Sequence, residues 1–110
     1  MHHSSNQLLA RLPEAARARL DSIGELVDLP LSRILGEADE PTTHVHFPID
    51  GFVSLLAQVD NDHVIEVGMV GREGMLGIQV ALGVPSEPLK ALVQGEGQAL
   101  RIEAAAFMRE

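Results

Sequence analysis

The sequence predicts a mainly β domain: an antiparallel roll or barrel of short strands with helices at its ends. Three observations predict it. Apolar and polar residues alternate over short runs at 44–47 and 63–70, with a more apolar run at 52–59 between them. Clusters of Gly, Pro, Asp and Asn separate these runs at short intervals. Strand–helix alternation of the length a parallel α/β sheet needs is missing.

The elements are taken in chain order. Leu8, Leu9, Leu12, Ala16 and Leu20 recur at three- and four-residue spacings, the pattern of an amphipathic helix capped by Ser4, Ser5 or Asn6. Pro13 breaks that helix, because its ring would clash with the Leu9 carbonyl and it has no N–H to offer. The expectation is two short helices within residues 5–21, with Leu12 ending the first and Pro13 the first helical residue of the second. Glu14, Arg17 and Arg19 are left to solvent. Leu26, Leu29, Leu31 and Ile34, separated by polar residues and Pro30, read as one or two short strands before the turn-rich stretch 36–41.

Val45 and Phe47 alternate with His44 and His46 in the next strand, and Pro48, Asp50 and Gly51 turn the chain. Residues 52–59 and 63–70 form a pair of strands around the polar hairpin turn Asp60, Asn61 and Asp62. Gly71, Gly74 and Gly77 punctuate the next segment, residues 80–82 read as a helical turn, and Gly83, Pro85 and Pro88 mark a loop. Strands at 89–93 and 98–102 flank a turn at 95–97. Residues 103–110 read as the start of a connecting helix cut off at its second turn.

Composition narrows the function. The 110 residues suit one domain, expected over 1–110. Hydrophobic residues make up 45%, but aromatics only 3%, so Leu, Val, Ile and Met must fill the core and no stacking platform for single-stranded nucleic acid exists. Eight Lys and Arg against sixteen Asp and Glu give a net charge of −8. The densest basic group, Arg11, Arg17 and Arg19, lies on a helix among acids, so this segment alone is not expected to bind DNA. With no Cys there is neither a disulfide framework nor a thiolate metal or iron–sulfur site. A basic region leading into an apolar run is missing from the N-terminus, and no apolar stretch is long enough to span a membrane, so a cytoplasmic protein is expected. His2 and His3 read as part of a disordered terminus.

Catalytic patterns are weak. Ser54 sits mid-strand without a nucleophile elbow. Asp60, Asp62 and Glu66 read as hairpin and solvent-face acids, and the aromatic walls of a sugar cleft are missing. No enzyme is expected. His44 and His46 share one strand face and His63 lies across a hairpin. Three converging imidazoles would suit a metal, but this spacing is common on exposed sheets, and neither metal nor cofactor is expected. The glycines at 71, 74 and 77 match no dinucleotide or P-loop fingerprint. They could bring backbone N–H groups to an anion or, the favoured reading, let the chain turn sharply.

Four segments together carry a resemblance: NQLLARLP at 6–13, VHFPIDGFVSLL at 45–56, VGMVGREGMLG at 67–77 and QALRI at 98–102. Over residues 6–107 the chain resembles the cyclic-nucleotide-binding-like sensor domain of the Crp/Fnr family of bacterial transcription regulators. That resemblance implies a jelly-roll-like β-roll with a small helical cap, a ligand space between the short loop helix and the sheet, and a homodimer in the full-length protein. DNA binding would belong to a C-terminal helix-turn-helix domain outside these residues. The alternative is a stand-alone small-molecule-binding or protein-interaction roll with no DNA role.

By the same resemblance, Gly77 matches the glycine that precedes the ribose-binding Glu, and Ile78 stands where that Glu is expected. The phosphate-binding Arg is missing near Leu89 and Ala91, where Lys90 is the only base. Ile78 cannot accept from a ribose hydroxyl, and one ammonium replaces a bidentate guanidinium poorly. Cyclic AMP and cyclic GMP are therefore not the expected ligands. The implied ligand space is lined by Val67, Met69, Leu76, Gly77, Ile78, Lys90 and Ala91, with Arg72 and Glu73 at its rim. That lining suits an uncharged or fatty small-molecule effector of unknown identity.

Overall fold

The computed structural model describes residues 6–109. The candidate caps Ser4 and Ser5, the His2–His3 pair and Glu110 lie outside the described residues. The mainly β expectation is met. Helices α1 (Gln7–Ala10) and α2 (Glu14–Ile23) precede strands β1 (Glu25–Leu29), β2 (Ile34–Gly36), β3 (His44–Pro48), β4 (Phe52–Gln58) and β5 (Val64–Val70). A short α3 (Ile78–Ala81), strands β6 (Lys90–Gly95) and β7 (Gly97–Glu103), and α4 (Ala104–Met108) complete the chain.

Pro13 breaks the N-terminal helical pattern as expected, but it stands one position earlier than anticipated. With φ −55° and ψ 147° it flanks α2 as the N-cap, and Glu14 is the first helical residue. Asn6 caps α1, its Oδ1 accepting from the Leu9 N–H at 3.0 Å.

All strand pairs are antiparallel. One sheet has the order β1-β7-β3, the other β2-β6-β4-β5. The consecutive strands β6 and β7 lie in different sheets, so the chain crosses between them at Gly95–Gly97. That corner is tight. Gly51, at φ +76°, approaches so closely that a Cβ there would sit 2.3 Å from the Gly95 carbonyl oxygen. Asp50 Oδ1 accepts from the Gln98 N–H on the far side of the corner. This explains the glycines at positions 51, 95 and 97 of the corner.

Alternation sorts the three-stranded sheet into two faces. Val45, Phe47, Leu100 and Ile102 face the helices and pack with Leu9, Leu20 and Val80. Phe107 of α4 joins them, its ring centroid 6.2 Å from that of Phe47. Leu29 and Ala99 face the other sheet and pack with Val53, Leu76, Ala91 and Val93. The molecule is thus layered: four-stranded sheet, three-stranded sheet, helices. Full burial of each Leu, Ile or Val in these clusters contributes about 1.5–3 kcal/mol.

Candidate functional site

A cleft of about 340 Å³ opens where the two sheets part. Its inner wall is His44 and His46 of β3, Leu55 of β4 and Ala91 of β6. Leu76, Gly77 and Gln79 close one end, and Leu35 and Leu89 flank the other side. Two loops form the outer wall. The Asp39 N–H donates to the Glu87 carbonyl at 2.7 Å and the Thr42 N–H to that of Pro85 at 2.8 Å. These bonds hold Glu40, Thr42 and Glu87 over the cleft.

Gly77 sits at the start of α3 with φ +90°, a backbone state that disfavours side chains. A Cβ there would come within 2.9 Å of Val45 Cγ1, so the loop can approach β3 only as glycine. Leu76 and His46 exchange backbone hydrogen bonds of 2.8 and 3.2 Å, which tie this end of the cleft to β3.

His46 is the most buried polar group of the cleft, 6% exposed, and no hydrogen bond to its ring is found among the described residues. Burial pushes its imidazole down from the ordinary 6.5 to about 4, with repulsion from His44 and Arg101 adding to the effect. Arg101 of β7 stands opposite His46 in the ladder but reaches the other way to Glu25 of β1, donating from Nε at 3.1 Å. That contact lowers the Glu25 carboxyl below its usual range. Gln79 donates through Nε2 to Thr42 Oγ1 at 2.7 Å, and its Oε1 is buried with no partner among the described residues. Glu37, Glu40 and Glu87 also line the cleft, and no Lys or Arg is among the described lining residues.

Of the expected ligand contacts, the structure brings Leu76, Gly77 and Ala91 together in this cleft. Val67 and Met69 are 51% and 59% exposed and lie outside it. β5 is the edge strand, and its alternation turns Val70 and Gly68 inward and Met69 outward. Val67 is the extra residue of a bulge, since Leu55 opposes Gly68 while Leu56 opposes Glu66. Ile78 lines a second, apolar groove between the helices, with Leu12, Phe47 and Phe107. Lys90 does not line the cleft, and its Nζ lies 3.7 Å from Glu37 Oε1 on the half-exposed rim.

Arg72 and Glu73 lie on the helix side. The Glu73 carboxylate accepts from the Gly71 N–H at 2.9 and 3.1 Å, and the Arg72 carbonyl accepts from the Gln7 N–H at 2.6 Å. Asn6 Nδ2 donates to the Gly74 carbonyl at 3.0 Å. The glycine-punctuated segment therefore turns the chain and docks α1.

His44 and His46 share the cleft face, while His63 pairs with Asp60 at the distant hairpin. No group of three His, Cys, Asp or Glu side chains that could hold a metal ion occurs among the described residues. Also among the described residues, no helix is long and apolar enough to cross a membrane.

No family model matches the chain, and no curated protein sequence does. Solved structures share its fold. A regulatory protein of Silicibacter pomeroyi DSS-3, to which cAMP binding is ascribed, aligns with a TM-score of 0.80 and 22% identity over 97% of this chain and 49% of that one. The regulatory subunit of a cAMP-independent protein kinase A from Trypanosoma brucei aligns with 0.83 and 11% over 98% and 40%. The N-terminal domain of a transcriptional regulator from Streptomyces coelicolor A3(2) aligns with 0.79 and 16% over 99% and 76%. The chain spans about half the length of the Silicibacter protein. The fold is a cyclic-nucleotide-binding-like β-roll. It is shared by regulators of quite different kinds, so it is not peculiar to the Crp/Fnr regulators whose motifs the sequence resembles.

Proposed function

We propose that the chain is the ligand-sensing regulatory domain of a bacterial, cytoplasmic transcription regulator of the Crp/Fnr type, without enzymatic activity. Its effector is a small molecule other than cyclic AMP or cyclic GMP, held in the cleft by Leu76, Gly77 and Ala91 among others. DNA binding falls to a helix-turn-helix domain outside these residues, and the whole protein works as a homodimer. The cleft between the sheets carries this reading: its lining holds three carboxylates and no Lys or Arg. A cyclic phosphate buried there would meet like charge and lack a cationic partner, which is costly. The net charge of −8 supports placing DNA contact elsewhere.

Calorimetric titration of the 110-residue chain with cyclic AMP and cyclic GMP tests the negative half of the reading. No saturable binding in the low micromolar range is expected. Saturable binding of either nucleotide in that range would overturn it.

A further inference from the structure

We propose that the cleft takes a small organic cation, an ammonium or guanidinium group on a compact apolar body, with His46, Glu40 and Glu87 as its acceptors. This rests on the reading of the cleft as the effector site and names the chemistry of that effector.

Charge points one way. Glu37, Glu40 and Glu87 line the cleft. Lys90 pairs with Glu37 at 3.7 Å, outside the lining, and among the described residues no Lys or Arg pairs with Glu40 or Glu87. Arg101, the cation nearest His46 in the ladder, is committed to Glu25.

A buried polar group points the same way by a separate route. Buried polar groups are normally satisfied. His46 lines the cleft at 6% exposure, and no described residue donates to its ring. Kept neutral by burial, it offers one lone-pair nitrogen and puts no positive charge in the cleft. An ammonium has donors and no acceptors, which complements this set. Chelation of a metal does not fit, because no three suitable side chains converge among the described residues. Leu35, Leu55, Leu76 and Leu89 supply apolar wall for the rest of the ligand.

The test compares probes of one shape and different charge. Phenethylamine, its uncharged analogue 2-phenylethanol and agmatine are titrated calorimetrically into the 110-residue chain at neutral pH, with cyclic AMP as the anion. Phenethylamine or agmatine is expected to bind saturably, and phenethylamine at least about tenfold tighter than 2-phenylethanol, a factor that one added charge-assisted hydrogen bond supplies. The double variant Glu40→Gln/Glu87→Gln should lose at least that factor for the cation while its thermal unfolding stays unchanged. Equal binding of the amine and the alcohol, or indifference to the rim substitutions, overturns the inference and leaves the sensor reading standing. Failure of every probe to bind overturns the inference alone, whereas saturable cyclic AMP binding in the low micromolar range overturns both.

Discussion

The side-chain amide of Asn6 donates to the Pro48 carbonyl oxygen at 2.6 Å, joining residues far apart in sequence in a fully buried contact. The same amide reaches the Gly74 carbonyl at 3.0 Å while its oxygen caps α1. One small side chain therefore fastens the first helix to the end of β3 and to the glycine turn after β5. Asn6→Ala removes the cap and strands two carbonyls, an expected loss of about 2–4 kcal/mol in urea denaturation. Asn6→Asp keeps the cap but turns a carboxylate oxygen toward two carbonyls, and should be less stable than Asn6→Ala. If Asn6→Asp proved as stable as the parent, the amide donors would carry no weight.

Gly77 and Val45 are the second tight contact. An alanine replacing Gly77 must hold φ near +90° and also push on Val45 Cγ1 from 2.9 Å. The expected cost of Gly77→Ala is about 1–3 kcal/mol for the backbone state alone, with the clash added to it. The two parts separate in a double-mutant cycle, since Val45→Ala relieves the clash and leaves the backbone strain. Additive losses in the cycle would mean that the contact is not felt.

Much of the architecture was legible because it is periodic. The strands at 52–58 and 64–70, the break at Pro13 and the corner glycines all arise from local pattern. The cleft was legible only in part. His44 and His46 share a face because a strand repeats every two residues. Ile78 and Gln79 are adjacent, yet the step of about 100° between neighbouring helical residues sends them to different cavities. Glu40, Thr42 and Glu87 come from loops whose positions depend on backbone bonds between distant residues, which leave no periodic trace. A bulge at Val67 shifts the alternation of β5 without any signal in composition.

That bulge has a measurable consequence. Val67→Thr and Met69→Gln alter exposed side chains on an edge strand, and each should change stability by no more than about 0.5 kcal/mol. Neither should alter phenethylamine affinity. Leu76, 7% exposed and bridged to His46, is the contrast. Leu76→Ala should cost about 2–5 kcal/mol in thermal or urea unfolding, because it removes core contacts and enlarges the cleft. Equal effects of Met69→Gln and Leu76→Ala would contradict the placement of β5.

The pH dependence of stability should carry the mark of His46. The folded chain accepts its proton only near pH 4, whereas the unfolded chain does so around the ordinary 6.5. Between those values the unfolded state binds more protons, so stability rises with pH. The contribution is complete above about pH 6.5, is lost as the pH falls through the window, and levels off below about pH 4. Its span is of order 3 kcal/mol. Other groups can be told apart by where they titrate. The carboxyls of Glu25 and Asp60 are lowered below ordinary values of 4.5 and 3.8, so what they contribute disappears only under more acid conditions. His46→Leu puts an apolar side chain beside Leu76 and Ala91 and removes the imidazole. It should flatten the stability profile between about pH 6.5 and 4.5, measured by urea midpoints at fixed ionic strength, while keeping the fall at lower pH. A variant that keeps the full slope in that window would show that His46 is not its source.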